Sequence, residues 1–451
     1  MSATSGKLAY LFPAFPVFHQ TFVLWEVLGL QRNGLMPTIY SLRRPPAGRQ
    51  QPEAQAVARS VHYLPSAWAP PVVRANSGAL WRAPGRYLRL YLDVVQAWRT
   101  GPAGSVRGDG WEPGRVRLYD RLRGWFNGHP LPYLLKSLAL VPVAAYLADR
   151  LAADGVTHLH VHWASYPATV AYVIHRWSGL PFSISAHAYD IYMVPRMLPA
   201  KVRAARFVVT CARTNADFLR RVTGADADGK VIVSYHGVDV TRFAPPDAVP
   251  APRPFTVVSC GQLERYKGMH LLVEACARLR QEGVDLECFI VGDGPYRPVL
   301  TRLIESLGVG DRVHLTGPQP HAEIAALLQR ADVFSLASEV AGRRRDVIAN
   351  VIVEAMAAGV PVVVSRIPGV EELVEDGVTG YLVPPNRVDD LAAVLRTLAA
   401  QPEARRRVGL AGRRRVLQDF DNAKNVRALT QRLSATLAGE APSGVHVAAV
   451  P

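Results

Sequence analysis

Residues 346–366, DVIANVIVEAMAAGVPVVVSR, constrain the fold more than any other stretch of the chain. They read as a polar loop, a short apolar helix and a buried strand. Asn350 or the residues just before it are the expected cap of a helix through VIVEAMAA. Gly359 suits the left-handed position after the last turn, and Pro361 stops the helix from continuing. Val362, Val363 and Val364 form a β-branched run of the kind that a parallel sheet buries on both faces. Glu354 is the anomaly, a carboxylate among Val, Ile, Ala and Met. Buried alone it would be costly, so it requires a partner or a ligand. Asp346 lies in the loop that feeds the helix N-terminus, whose free N–H groups and positive dipole end suit a phosphate.

The same alternation of strand and helix runs through the chain. KLAYLF (7–12) is a strand, residues 19–30 a helix ended by Asn33-Gly34, and PTIYSL (37–42) the next strand. This is the βαβ opening of a doubly wound α/β domain. Residues 43–60 read as a loop. From 80 to 150 the pattern is helical, interrupted by GPAGSVRGDG (101–110). Arg82, Arg86 and Arg89 recur there on one helical face beside Trp81, Tyr87 and Leu88, with Arg99, Arg115, Arg117, Arg121 and Arg123 beyond. Such a face suits either solvent or an anionic membrane surface. THLHVHWAS (157–165) is a strand that places His158, His160 and His162 on one side of the sheet; no carboxylate or cysteine at ligand spacing accompanies them. FSISAHAYD (182–190) is a strand with His187 and Asp190 at its carboxyl end, where open α/β sheets bind ligands. FVVTCA (207–212) and KVIVSYHGVD (230–239) follow as strands. The proline-dense stretch 242–254 reads as a linker. The alternation then restarts, from FTVVSCGQL (255–263) through LECFIVGDGP (286–295), VHLTG and VFSLAS, and ends in helices over 387–400 and 403–438. These shifts divide the chain into an α/β domain over 1–245, a second over 246–415, and a helix with a frayed tail over 416–451, the helix expected to pack back on the first domain.

With 451 residues, 49% hydrophobic and 20% charged, the chain has the length and composition of two to three folded domains. No run of eighteen apolar residues occurs, so no bilayer span is expected. The N-terminus reads as the start of a strand and not as a signal peptide. Cys211, Cys260, Cys276 and Cys288 lack CxxC spacing and look like reduced core residues, consistent with cytosol. A net charge of +15 implies an acidic partner: nucleic acid, anionic lipid or a phosphorylated substrate. No nucleic-acid-binding module accompanies the basic residues. No GxGxxG follows the first strand, which argues against hydride transfer with NAD, and no Asp-x-Asp stands where it would bind a metal.

Residues 346–385 resemble the nucleotide-sugar signature of family 4 glycosyltransferases, in which two glutamates separated by seven residues flank the loop and helix. Here the second is Glu354 and the first position holds Asp346. Gly261-Gln262-Leu263-Glu264-Arg265-Tyr266-Lys267-Gly268 is similar to that family's Gly-Arg…Lys-Gly element, with Lys267 kept and Gln262 in place of the arginine. His187-Ala188-Tyr189-Asp190 matches its His-Ala-x-Asp stretch, Thr21-Phe22 its Thr-Phe pair, and Tyr235 to Asp239 its Asn-Gly-Val-Asp turn. The chain is similar to the family's enzymes of exopolysaccharide and colanic-acid assembly, and the resemblance implies the GT-B fold, two Rossmann-like doubly wound domains facing a central cleft. It implies an acceptor-binding first domain and a donor-binding second one. It also implies retaining transfer of a hexose from a UDP- or GDP-sugar to a saccharide or polyprenyl-diphosphate-linked acceptor, with no metal or other cofactor, at the cytoplasmic face of the membrane. His187, Lys267 and Asp346 would stand at the reacting centre. Lys267, Gly261 and Gln262 would meet the diphosphate, Asp346 with the backbone of Val347, Ile348 and Ala349 the sugar, Glu354 the ribose, and Gly317 and Gln319 the base. Thr21, His187 and Asp190 would lie on the acceptor side. The alternative is a non-catalytic relative that binds nucleotide sugar or glycan as a scaffold, a reading favoured by Gln262 and Asp346.

Overall fold

Thirteen strands among the described residues form two wholly parallel sheets. The computed structural model describes residues 6–18, 20–46, 51–101, 130–193, 195–246, 253–339 and 346–440. The chain divides into two compact units, Met1–Ser234 with Val426–Pro451, and Tyr235–Asn425. The break thus falls at Ser234, ahead of the proline-dense stretch that marks it in the sequence. The Arg-rich segment containing Arg115, Arg117, Arg121 and Arg123, and the tail beyond Glu440, lie outside the described residues.

The first sheet runs β3-β2-β1-β4-β5-β6-β7, with β1 Leu8–Phe12, β2 Thr38–Ser41, β3 Val61–Tyr63, β4 His158–His162, β5 Phe182–Ala186, β6 Val208–Thr210 and β7 Val231–Val233. β1 lies in register beside β4, Leu8 opposite His158 and Tyr10 opposite His160. Strand alternation therefore sends Tyr10, Phe12 and the three histidines to one face. That face packs on the helix Thr21–Arg32 through Val23, Leu24, Val27 and Leu30. The helix Asn422–Leu437 closes the same core with Val426, Leu429, Leu433 and Leu437. Helices Pro70–Arg82, Pro84–Arg99, Val141–Ala153 and Tyr166–Ser178 pack against one another in this unit.

Two expectations change here. Residues 43–60 are not all loop, because the short helix Ala54–Ala58 buries Ala54 and Val57. Arg82 does not share a helix with Arg86 and Arg89: Ala83 leaves helical geometry and Pro84 starts a new helix. Leu131–Ala153 contains no unbroken apolar run of eighteen, yet by length and composition it is apolar enough to cross a bilayer, with an 18-residue window of mean hydropathy 1.5, half of which is buried inside the fold. Its apolar residues Val141, Val143, Ala144, Leu147 and Leu151 are core residues, which is the ordinary reason for such a run in a packed helix.

The second sheet runs β10-β9-β8-β11-β12-β13, with β8 Phe255–Cys260, β9 Leu286–Val291, β10 Val313–Gly317, β11 Val333–Leu336, β12 Val362–Ser365 and β13 Tyr381–Val383. The valine run lies within β12, a strand paired on both sides and buried throughout. Both sheets follow the doubly wound order in which the third, second and first strands precede the fourth. Such sheets bind ligands beyond the strands' carboxyl ends where that order reverses. The reversal falls between β1 and β4 in the first unit and between β8 and β11 in the second.

Candidate functional site

At the β8/β11 reversal two loops lock together. β8 ends at Cys260, and the chain turns through a single 3₁₀ turn, Arg265–Lys267, into the helix Met269–Gln281. Gly268 joins them with φ +65°, and a Cβ there would overlap the Ala337 carbonyl at the end of β11. The Glu339 N–H donates to the Tyr266 carbonyl at 2.7 Å. Gly292, beyond β9, lies so close to the Gly261 carbonyl that a side chain would overlap it, and its N–H donates to the Gly317 carbonyl at 2.9 Å. Gly261, Gly292 and Gly317 thus bring the ends of three neighbouring strands together.

Lys267 and Asp346, joined here from distant parts of the chain, form a two-pronged pair: Lys267 Nζ donates to Oδ1 at 2.7 Å and to Oδ2 at 2.9 Å. Ser338 Oγ donates to Oδ2 at 2.6 Å. Burial pulls the Lys267 ammonium down, but the Asp346 charge outweighs it and holds Lys267 above its ordinary value. Four residues after the site helix begins, Glu354 is buried with Oε1 3.3 Å from His321 Nε2. Its Oε2 has no hydrogen-bond partner among the described residues. Burial pushes the Glu354 carboxyl up to about 8, opposed by the charge of Arg242. Cys260 registers both sides of the site. Burial lifts its thiol to about 12, Glu354 adds to the rise and Lys267 opposes it.

The helix itself is Asn350–Ala357. Asn350 is its first residue and not its cap; Ala349 holds the cap position and no side chain caps the N-terminus. Val347 is buried, Ile348 and Ala349 half-buried. Gly359 has φ +74° as expected. Arg413, from the helix Pro402–Asp419, donates to the Ala357 and Phe243 carbonyls, so a cation sits at the helix C-terminus. Gln262 is exposed. Arg265, also exposed, lies 3.9 Å from Glu339 and not on the Lys267–Asp346 pair among the described residues. Gln319 Nε2 donates to the Thr316 carbonyl at 3.2 Å, beside Gly317. Sequence patterns did not single out His321, Ser338, Glu339 or His270, whose Nε2 lies 3.4 Å from Glu339. The one cue was His321 directly after Pro320, at a helix start.

In the first unit, Thr21 begins its helix and is buried. His187 and Asp190 stand just beyond β5. Asp190 accepts from the His187 N–H at 2.8 Å and from the Ala164 N–H, so both its oxygens brace backbone. Burial pushes Asp190 up to about 7 and pulls Lys201 down to about 7, each partly offset by the other's charge. Lys201 Nζ donates to the carbonyls of Ala164 and Ser165 at 2.7 and 2.8 Å and to Tyr133 Oη at 2.8 Å. The histidines of β4 lack a carboxylate in sequence, but the fold supplies one: Glu26, His160 and His162 bring ligand atoms within 4.8 Å of one another. The four cysteines are buried and unbonded.

Residues 243–415 match the Glycosyl transferases group 1 family. Over 211 residues the chain is 36% identical to the protein of Salmonella typhimurium named as the colanic acid biosynthesis glycosyltransferase WcaL, covering 46% of this chain and 51% of that one. The chain spans about half the length of the curated relatives it matches first. Its fold is similar to that of a sucrose-phosphate synthase from Thermosynechococcus elongatus, with a TM-score of 0.68 at 19% identity over 96% of this chain and 100% of the other. Anabaena HepE, solved in complex with UDP, has a TM-score of 0.65 at 17% identity over 95% and 100%. Residues 243–415 are thus similar to the Glycosyl transferases group 1 family, and the chain has the GT-B fold of two Rossmann-like domains.

Proposed function

We propose that the chain is a retaining glycosyltransferase of polysaccharide biosynthesis that moves a hexose from a UDP- or GDP-sugar to a saccharide or lipid-linked acceptor. The observation that carries this reading is the Lys267–Asp346 pair beside Glu354 at the β8/β11 reversal, within the segment that matches the family. An ammonium has three donors, and Asp346 occupies two. The third is available to a diphosphate oxygen, with the uncapped N-terminus of the helix Asn350–Ala357 adding N–H groups and dipole. Glu354 would accept from ribose hydroxyls, Asp346 and the backbone of Val347, Ile348 and Ala349 would hold the sugar, and Gly317 and Gln319 would border the base. His187 is assigned to the donor sugar, and Thr21 and Asp190 to the acceptor side, by resemblance. Leaving-group charge would be met by Lys267 and backbone donors, with no metal required. Two carboxylates do not make this a glycosidase-like double displacement: Asp346 is engaged by Lys267 and Ser338, and burial disfavours the charged, nucleophilic form of Glu354. Transfer on one face of the sugar, with the departing phosphate taking the acceptor proton, is the mechanism consistent with that arrangement. Turnover and thermal shift with a panel of UDP-, GDP- and ADP-sugars test the reading. A donor that both stabilises the chain and is consumed supports it.

A scaffold is the second reading, favoured because Gln262 is uncharged and the Lys267 charge is already met by Asp346. Donor binding without turnover of any sugar would establish it.

We also propose peripheral attachment at the cytoplasmic face of the plasma membrane. Trp68 and Trp81 are each 89% exposed, and Leu88, Leu92 and Leu135 are more than half exposed, among the exposed Arg82 and Arg89. Apolar side chains interleaved with arginine suit an anionic bilayer surface. The chain should sediment with anionic vesicles, release with rising salt, and bind less after Trp81→Ala. Absent or salt-insensitive binding would exclude this attachment.

A further inference from the structure

At the β1/β4 reversal of the first sheet, a line of side chains runs from the helix Thr21–Arg32 to His187. Tyr10 Oη donates to Glu26 Oε1 at 3.0 Å, and the same oxygen lies 2.9 Å from His162 Nε2. His162 Nδ1 in turn lies 3.3 Å from His187 Nε2, with the two rings stacked at 5.5 Å. His162 is fully buried and Glu26 nearly so. The His187 ring is flanked by Phe22 and Trp163, each at 5.2 Å. Trp163 has a left-handed backbone, φ 73°, a conformation that persists where its surroundings fix it. Here the Trp163 N–H donates to the Ser185 carbonyl at 2.8 Å, and Asp190 and Lys201 grip the backbone of Ala164 that follows.

We propose that Glu26 and His162 are positioning residues that set the tautomer of His187. The Glu26 carboxylate is acceptor-only, so a His162 ring that carries one proton carries it on Nε2. Its Nδ1 is then an acceptor, and His187 must donate its Nε2–H to it. His187 Nδ1 is consequently the ring's acceptor atom, suited to receive a hydrogen bond from a hydroxyl. That the hydroxyl belongs to a sugar rests on the proposed glycosyltransferase activity.

The same residues do not make a metal centre in this arrangement. Both nitrogens of His160 are engaged, Nδ1 with Ser183 at 2.7 Å and Nε2 with Ser185 at 2.9 Å. Both nitrogens of His162 are engaged by Glu26 and His187. No ring lone pair is left converging on a shared point.

The experiment is a long-range ¹H–¹⁵N correlation spectrum of the full chain labelled at histidine, for the wild type, Glu26→Gln and His162→Gln, with kinetics of sugar transfer in parallel. The wild type should show His162 and His187 each with its proton on Nε2. Glu26→Gln, which can donate as well as accept, should give mixed tautomers at both rings with the melting temperature little changed. Its kcat should fall by about tenfold at an unchanged donor KM, as happens when a supporting hydrogen bond behind a reacting group is lost. A doubly protonated His162 or an Nδ1–H on His187 in the wild type would overturn the proposal. So would stoichiometric zinc retained by the purified chain with the His160 and His162 resonances shifted. Unchanged kcat in Glu26→Gln despite scrambled tautomers would overturn the positioning role. If the wild type turns over no sugar, the activity reading fails, and the spectra still decide the tautomer.

Discussion

Glu354 occupies an environment that suppresses its charge, and this has a thermodynamic consequence. Its folded value, about 8, stands above the ordinary 4.5. Stability from this group is therefore fully present below about 4.5 and is lost as pH rises through about 8. Glu354→Gln removes the titration, so the melting temperature of the variant should gain on the wild type steadily between pH 5 and pH 8. Parallel curves would show that Glu354 is ionised throughout. Lys267 is coupled to its site in the opposite sense. Lys267→Ala leaves Asp346 largely buried with Ser338 as its remaining partner among the described residues, a loss of about 3 kcal/mol in chemical denaturation. Asp346→Asn in the Lys267→Ala background should recover part of that loss, and no recovery would mean that the pair contributes little. Sequence alone marks Glu354 because an acid in an apolar helix is a local contradiction. It does not mark His321 or Ser338, which reach the two carboxylates only after the sheet has folded.

Among the elements, the turn Arg265–Lys267 fixes where the lysine points, and Gly268 is what allows the turn to approach β11. Gly283, with φ +85° and open space around it, is the comparison. Gly283→Ala should cost about 1 kcal/mol for the left-handed backbone alone. Gly268→Ala adds overlap with the Ala337 carbonyl and should cost about 1–3 kcal/mol more, with weaker donor binding. Equal losses at the two positions would mean the loops are not held together there. The site helix was legible because its signals are contiguous: Gly359, Pro361 and the valine run punctuate one segment. The helix Ala54–Ala58 was not, being too short to show a period within a polar stretch. The break at Ala83 was missed because arginine spacing imitates a continuous face across Pro84. Leu131–Ala153 shows the converse, since core burial and bilayer insertion select the same composition.

Across the whole chain, the C-terminal helix returns to the first unit, carrying Leu433 into the core with Val23, Val27 and Leu30. Leu433→Ala should therefore destabilise by about 2–5 kcal/mol, against about 0.5 kcal/mol or less for Leu410→Ala, which is 41% exposed. Similar losses in urea titrations would contradict that packing. The α/β alternation revealed two doubly wound units because strand and helix periods persist through each. The pairing of Glu26 with His162 was invisible, since 136 positions separate them. The central claim is that Lys267, Asp346 and Glu354 form the donor site of a glycosyltransferase. It is tested most directly by donor affinity and turnover measured on the same preparations of wild type, Lys267→Ala and Glu354→Ala. The account predicts weaker donor binding in Glu354→Ala and turnover lowered by about 10²–10³ in Lys267→Ala; near-wild-type affinity and turnover in both would contradict it.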